Sequence, residues 1–209
     1  MTPQPDDKLA EPIILAFDTS AAYCAAALLR GKTLLGLQSE DMGRGQAERL
    51  VPMLDDLIKG ADLDWSDLDA MAVGVGPGNF TGIRIAVSTA RGLALALDIP
   101  AIGVSTFEAI SKTATLPHLP CVPAPQSQVY IAPSGAEPRL VSMDEAHDLG
   151  LPLALPPAPA DLVVAMARVA RARLRRGDML EAPAPLYIRA ADAAPSRDTP
   201  PVMLPDDRT

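Results

Sequence analysis

A glycine-rich segment between two apolar runs is the feature that most constrains how this chain can fold. The segment is Gly76-Pro77-Gly78-Asn79-Phe80-Thr81-Gly82. Residues 68–75 before it predict a buried strand, and residues 85–97 after it predict a buried helix. A turn of this kind leaves backbone N–H groups free at the helix N-terminus, where an anion or a closely crossing chain can lie. The segment therefore predicts a strand–turn–helix unit of an α/β fold.

The glycine-rich segment does not match the common phosphate-binding motifs. A Walker A loop ends in Gly-Lys followed by Ser or Thr, whereas Gly82 is followed here by Ile83-Arg84. The glycine spacing also differs from the dinucleotide fingerprint, and no acidic residue is placed to bind a ribose. Two interpretations remain: a tight turn that lets the helix pack closely on the sheet, or a loop that contacts a ligand or partner. The second would use Gly76, Gly78, Asn79, Thr81 and Gly82.

A second candidate loop, Asp18-Thr19-Ser20, ends the first predicted strand at residues 13–18. A strand at 23–29, a turn at Gly31-Lys32 and a strand at 33–39 follow it. This layout resembles the first phosphate loop of the actin, Hsp70 and sugar-kinase superfamily, in which a carboxylate positions a metal-bound water. An Asp-Thr-Ser turn is nevertheless more often only a turn. Asp18, Thr19 and Ser20 are therefore candidates for a vestigial ligand loop.

The rest of the sequence predicts a mixed sheet covered by helices. Three N-terminal strands joined by short turns favour an antiparallel sheet edge, and later strands alternate with helices. Apolar residues recur at helical spacing over 46–59, where Pro52 predicts a kink or a later helix start and Gly60 a glycine after the last turn. Ser105 and Glu108 predict a capping box. The further elements predicted are strands or extended runs at 100–104, 117–125, 128–132 and 186–189 and a helix at 160–176 that ends at Gly177.

Composition and charge restrict the function. Hydrophobic residues make up 48% of the 209, so most of the chain should be globular. The net charge is −8, whereas a protein that binds nucleic acid by itself usually has a basic face. One dense basic cluster exists, and a solvated helix face near a helix C-terminus explains it more simply than an RNA contact. Its members are Arg168, Arg171, Arg173, Arg175 and Arg176.

The cysteines, histidines and apolar runs predict no disulfide, metal site or membrane span. Cys24 and Cys121 lie far apart in sequence and match no paired motif, which fits a reduced, cytoplasmic setting. His118 and His147 are isolated, so we do not expect either to bind a metal. No basic segment followed by an apolar one opens the chain, and the apolar runs are short. We therefore expect neither a signal peptide nor a membrane-spanning segment.

Several segments together resemble a known family. They are residues 14–20, 47–53, 76–84, 92–94 and 102–106, followed by Val129-Tyr130 and by residues 185–193. In this order they resemble the TsaB (YeaZ) family, the bacterial partners of TsaD in making N6-threonylcarbamoyladenosine at position 37 of tRNAs. Each segment alone is unspecific, but the combination is highly specific.

The resemblance implies an actin-like (ASKHA, ribonuclease H-like) α/β fold, a mixed sheet with flanking helices. It implies two lobes, of which the C-terminal one is reduced. We expect a flexible tail at 1–12, the N-terminal lobe at 13–105, the reduced lobe at 106–192 and an extended or disordered tail at 193–209.

The resemblance also implies a role and a set of partners. The chain would be a non-catalytic scaffold subunit, required for threonylcarbamoylation of adenosine 37 in tRNAs that read ANN codons. It would bind TsaD and TsaE, form a homodimer, and meet tRNA only through the complex. ATP and a metal would belong to the partner subunits, so no cofactor and no catalytic residue are expected here. The metal-binding histidine pair of the catalytic relative corresponds to Gln46 and Leu50.

The apolar face of the predicted helix at 46–59 allows two interpretations. It packs only on its own sheet, or part of it joins a helical bundle across a subunit interface. The resemblance favours the second, in which paired helices of this region form the association surface. The interface candidates are Leu50, Met53, Leu54, Leu57 and Ile58.

Two departures from the family pattern concern the second lobe. Relatives usually carry Asp-Ala-Arg before the Val-Tyr strand, whereas this chain has Ala124-Pro125-Gln126. Residues 133–160 are short and rich in Pro and Ala, which predicts a trimmed lobe with a shallow or missing cleft. An alternative function, an ATP-dependent phosphotransferase or glycoprotease-like hydrolase using Asp18, is disfavoured because no histidine accompanies a nucleophile candidate.

Overall fold

The structure is a computed structural model that describes residues 11–188. Within this range the chain forms two β-sheets with helices packed against them. The predicted tail at 193–209 lies outside the described residues, and so does most of the predicted tail at 1–12. Arg189, the end of the predicted strand-like piece, also lies outside them.

The N-terminal sheet has five strands in the order β3-β2-β1-β4-β5. Strands β1, β2 and β3 pair antiparallel, while β4 pairs parallel with both β1 and β5. This confirms the predicted antiparallel edge, which Gly31 makes possible by turning between β2 and β3 with a positive φ of 57°. The strands are β1 (Ile13–Asp18), β2 (Tyr23–Arg30), β3 (Thr33–Asp41), β4 (Ala70–Gly74) and β5 (Ala101–Val104).

Helices cover both faces of this sheet. Because successive side chains of a strand point to opposite faces, Leu15 and Phe17 of β1 enter one core, and Ile14 and Ala16 enter the other. Helices α1 and α2 close the first core, and α3 and α5 close the second. The helices are α1 (Gln46–Gly60), α2 (Phe80–Leu97), α3 (Thr106–Thr113), α4 (Met143–Asp148) and α5 (Pro159–Arg176).

A smaller second sheet follows α3, with strand order β8-β7-β6-β9. Strands β6 and β7 correspond to the two predicted extended runs, whereas β8, α4 and β9 were not predicted. These three elements have four, six and two residues, too few to show a periodic apolar pattern. The strands are β6 (Leu119–Pro123), β7 (Gln128–Ile131), β8 (Arg139–Ser142) and β9 (Leu153–Ala154).

Helix ends differ from the predictions where local capping decides them. Helix α1 runs unbroken from Gln46 past Pro52, so the later start was wrong. Gly60 is its last helical residue rather than the one beyond, and the chain turns at Asp62 with a positive φ of 54°. Helix α2 begins at Phe80, five residues earlier than its apolar run suggests, because Asn79 caps it. The Ser105–Glu108 capping box and the end of α5 at Gly177 are confirmed.

Candidate functional site

The two candidate loops lie against each other where β1 ends and α2 begins. The Asn79 N–H donates to the Ser20 carbonyl at 2.5 Å, and the Thr19 hydroxyl donates to the Gly82 carbonyl at 2.7 Å. The structure thus brings the Asp18-Thr19-Ser20 turn and the glycine-rich segment together. Each loop uses part of its backbone hydrogen-bonding capacity on the other rather than on a ligand.

The glycines are needed because the two loops approach so closely. A Cβ atom at Gly82 would lie 1.9 Å from the Thr19 carbonyl oxygen, and one at Gly78 would lie 2.4 Å from the Ser20 carbonyl oxygen. Gly76 has a positive φ of 94°, which side chains rarely tolerate. Of the two interpretations of this loop, these contacts favour the tight structural turn.

Asn79 and Thr81, the polar residues of the loop, have different environments. The Asn79 side-chain oxygen accepts from the Gly82 N–H at 2.9 Å and so caps α2. Thr81 is exposed in the first turn of α2 and lines a shallow hollow beside Ala47. The Asn79 side-chain oxygen, which a ligand could otherwise contact, therefore caps α2.

Asp18 is fully buried at the end of β1. One carboxyl oxygen accepts from the Tyr23 hydroxyl at 2.5 Å and from the N–H and hydroxyl of Ser20. The other has no partner within the described residues, and a Cβ at Gly74 would collide with it. Burial raises the pKa of Asp18 above its ordinary value, outweighing the hydrogen bonds that lower it. A carboxyl held this way is poorly placed to bind a cation.

The positions that correspond to a histidine pair also have other contacts. The Gln46 amide donates to the Met42 carbonyl at 3.2 Å, and Leu50 is buried in the core. Among residues 11–188 no three His, Cys, Asp or Glu side chains are grouped as metal ligands.

The five predicted interface residues of α1 lie in the core of the protomer. Leu50, Met53, Leu54, Leu57 and Ile58 are all buried between α1 and the sheet, with at most 5% of any of them exposed. They form the stripe that attaches the helix to its own core, as the alternative interpretation holds. At this burial a partner could contact little of these side chains while the protomer is folded, which favours packing of the helix on its own sheet.

The exposed side of α1 and α2 carries apolar groups that the sequence analysis did not single out. A hollow of about 570 Å³ separates the two helices, and Val51 beside it is 43% exposed. The hollow is lined by Val51, Pro52, Asp55, Asp56, Trp65, Leu93, Ala96 and Leu97. Along α2, Leu95 is 85% exposed.

Helix α2 is unusually apolar for a helix at a surface. Its 18 residues have a mean hydropathy of 1.3, yet only 33% of them are buried. By length and composition alone, α2 is a helix of the described residues that could cross a membrane. From the sequence we expected no segment of this kind. Core helices of soluble proteins meet the same criterion, so this property indicates an apolar surface and does not identify what covers it.

An aromatic and cationic cluster lies at the start of α2. The Arg84 guanidinium stacks 3.9 Å from the centre of the Phe80 ring, and its Nε donates to the Tyr187 hydroxyl at 2.8 Å. Phe80 and Tyr187 are 53% and 51% exposed. The cluster joins the glycine-rich segment to the last described residues of the chain, two motifs that are far apart in sequence.

Comparisons with known proteins identify the family. A family model described as "TsaD: tRNA N6-adenosine threonylcarbamoyltransferase" matches residues 33–150, more than half of the chain. The chain is 39% identical to "tRNA threonylcarbamoyladenosine biosynthesis protein TsaB" of Escherichia coli over 48% of this chain and 43% of that protein. The chain belongs to the TsaB (YeaZ) family.

Other relatives extend the match. An uncharacterized protein of Mycobacterium tuberculosis, Rv3421c, is 31% identical over 87% of this chain and 94% of its own length. A solved structure of YeaZ from Pseudomonas aeruginosa is 28% identical, with a TM-score of 0.65 over 85% of this chain and all of that chain. The actin-like, ribonuclease H-like fold is thereby confirmed. This chain spans only about half the length of the curated TsaB proteins that it matches.

Replacing Gly82 by Ala tests whether the loop contact is structural. The added methyl group meets the Thr19 carbonyl, so we expect a loss of about 1 to 3 kcal/mol in the free energy of unfolding. Gly92 in the same helix is the matched control, since a Cβ there meets nothing within 4 Å. Gly92→Ala should stabilise the helix by up to about 1 kcal/mol. Equal urea midpoints for the two variants would contradict the close-approach interpretation.

Asp18→Asn tests the buried carboxyl. Because burial raises the pKa of Asp18, its stabilising protonated form is present below the ordinary carboxyl pKa and is lost as pH rises through the raised value. The neutral amide escapes this loss, so wild type should lose stability relative to the variant as pH rises. Urea unfolding between acid and neutral pH measures the difference, with the exposed Asp41→Asn as control. Parallel curves for wild type and Asp18→Asn would show that Asp18 does not titrate as expected.

Proposed function

We propose that this chain is a non-catalytic subunit of the machinery that makes N6-threonylcarbamoyladenosine at adenosine 37 of tRNAs reading ANN codons. It acts in the cytoplasm by binding and supporting a TsaD-type transferase subunit. The observation that carries the proposal is the exposed apolar surface of α1 and α2, in a chain of the TsaB family. TsaE and tRNA are engaged through the resulting complex.

The shape of the α1–α2 surface fits a pair of partner helices. Ser88, Gly92 and Ala96 are small, exposed and spaced four residues apart, so they form one row along α2. Small side chains let a second helix backbone approach closely. The hollow beside this row accepts apolar side chains from the partner.

The charges around this surface favour a defined orientation. Glu48 and Asp56 are exposed on α1, whereas Arg84 and Arg91 are exposed on α2. A two-fold axis that places α1 of one copy against α2 of another would bring opposite charges together. These charges support a homodimer, and a heterodimer with TsaD through the same surface would exclude it.

The environment of the two loops supports a subunit without its own chemistry. Catalysis in the actin-like superfamily needs an accessible carboxylate and room for phosphates. Here Asp18 is buried, and the two loops contact each other without space for a ligand between them. A phosphotransferase or hydrolase would have to separate Thr19 from Gly82 first. Calorimetry of the chain with Mg-ATP distinguishes the functions, since tight binding would favour the enzyme.

Charged substitutions on the outer helix surface test the proposal. Val51→Glu combined with Ala96→Glu places two carboxylates at the hollow, on residues that are exposed in the protomer. We expect the double variant to keep its melting temperature and to lose at least about 2 kcal/mol of binding to the cognate TsaD, roughly thirtyfold in Kd. Size exclusion and calorimetry of the mixture measure this.

Leu155→Glu is the control for that experiment, because Leu155 is an exposed leucine that follows β9 in the second sheet. It should bind TsaD as wild type does. Normal binding by the double variant would show that the α1–α2 surface is not the TsaD interface.

A further inference from the structure

The arginines of α5 divide into two groups by their contacts. Arg173 pairs with Glu108 and donates to the Gly103 carbonyl at 2.6 Å, and Arg176 pairs with Asp178 at 2.6 Å. Arg168, Arg171 and Arg175 form no ion pair within the described residues. These three, named here the arginine row, remain available to an external anion.

The arginine row is a continuous surface. Positions three and seven residues apart fall on one side of a helix, so the row occupies a narrow arc about 10 Å long. Arg168 and Arg175 are exposed and Arg171 is partly buried between them. The first half of α5 is buried on most sides, because residues 162–167 and Ala170 belong to the core with the sheet and α3.

Arg171 lacks a hydrogen-bond acceptor. Its Nε is buried and has no partner in the part of the chain that the structure describes. A buried donor without an acceptor costs free energy, so no acceptor of the described chain fixes the Arg171 guanidinium through this atom. The guanidinium fork suits a phosphate, since it donates two parallel hydrogen bonds to neighbouring oxygens.

The favourable position at the helix C-terminus does not account for the whole row. The helix dipole stabilises cations within the last turn, which here contains Arg173, Arg175 and Arg176. Arg168 and Arg171 lie further back, beyond the reach of that effect. The row also concentrates positive charge locally in a chain with a net charge of −8.

We propose that Arg168, Arg171 and Arg175 bind the phosphate backbone of the tRNA on which the complex acts. The inference rests on the proposed function for the identity of the RNA. Helix α5 lies on the face of the sheet opposite α1 and α2, so TsaD bound there leaves the arginine row uncovered. The contact is with phosphates and carries no sequence information.

The experiment compares two triple variants that remove the same charge. Arg168→Ala/Arg171→Ala/Arg175→Ala removes the row, and Arg30→Ala/Lys32→Ala/Arg44→Ala removes three exposed cations elsewhere. Circular dichroism establishes that both are folded, and size exclusion that both bind TsaD. Fluorescence anisotropy then follows a labelled tRNA binding to each complex, and to each chain alone, as salt rises from about 50 to 200 mM.

Loss of the arginine row should weaken tRNA binding at least about tenfold and reduce the slope of log K against log salt by about 2 to 3. The control variant should match wild type. Equal affinities and slopes for the two variants would overturn the inference even if both still bind TsaD. If wild type fails to bind TsaD, the proposed function fails, and the titration of the chain alone still decides the inference.

A competitor decides whether RNA is the ligand. Duplex DNA of the same length should displace the tRNA only at much higher concentration, because the row is proposed to follow the folded tRNA backbone. Displacement at equal concentration would mark a general polyanion surface and overturn the assignment to tRNA.

Discussion

The close approach of α2 to the turn after β1 is the contact on which the rest of the structure depends. There is no space for a side chain between Gly82 and the Thr19 carbonyl, and the two loops exchange hydrogen bonds across this contact. The contact fixes where α2 begins and which of its residues face the sheet. It also encloses Asp18, whose unpartnered oxygen lies where a Cβ at Gly74 would be.

This contact occupies loop groups that could otherwise bind a ligand. In a nucleotide-binding relative, the end of β1 and the start of a following helix would face a phosphate. Here those groups bind each other, and apolar groups that the protomer does not bury line the hollow between α1 and α2, while α2 also exposes Arg84 and Arg91. An exposed apolar surface of this kind typically marks a site of protein association. The proposed docking surface therefore lies on the outside of α1 and α2 rather than at the loops.

Much of the fold was predictable because it is periodic. The apolar run of β1 gave the strand with its observed bounds, and α5 differed by one residue at its start. What failed was short or depended on contacts between distant segments. The capping box of Ser142 and Glu145 could have revealed α4, but the six-residue helix has no apolar stripe.

The predicted interface residues are buried for a physical reason. Helical periodicity in α1 finds the apolar stripe, and in a small α/β protein that stripe attaches the helix to its own sheet. A further signal was in α2, whose 18 residues have a mean hydropathy of 1.3 although only 33% of them are buried. The contact of Arg84 with Phe80 and Tyr187 could not be predicted from the sequence, because Tyr187 lies 103 residues from Arg84. The sequence showed only that the glycine-rich segment and residues 185–193 are both present.

The two faces of the N-terminal sheet can act independently because of their distance and screening. Charges in solution are screened beyond about 8 Å at physiological ionic strength, and a layer of helix and sheet separates the α1–α2 surface from the arginine row. The acidic residues of α1 therefore do little to repel a polyanion at α5, and the overall charge of −8 does not describe the local field there. A subunit without chemistry of its own could then hold a transferase on one face and meet the substrate's backbone on the other. Its contribution would be geometric, since it would limit the positions that a bound tRNA takes relative to the transferase.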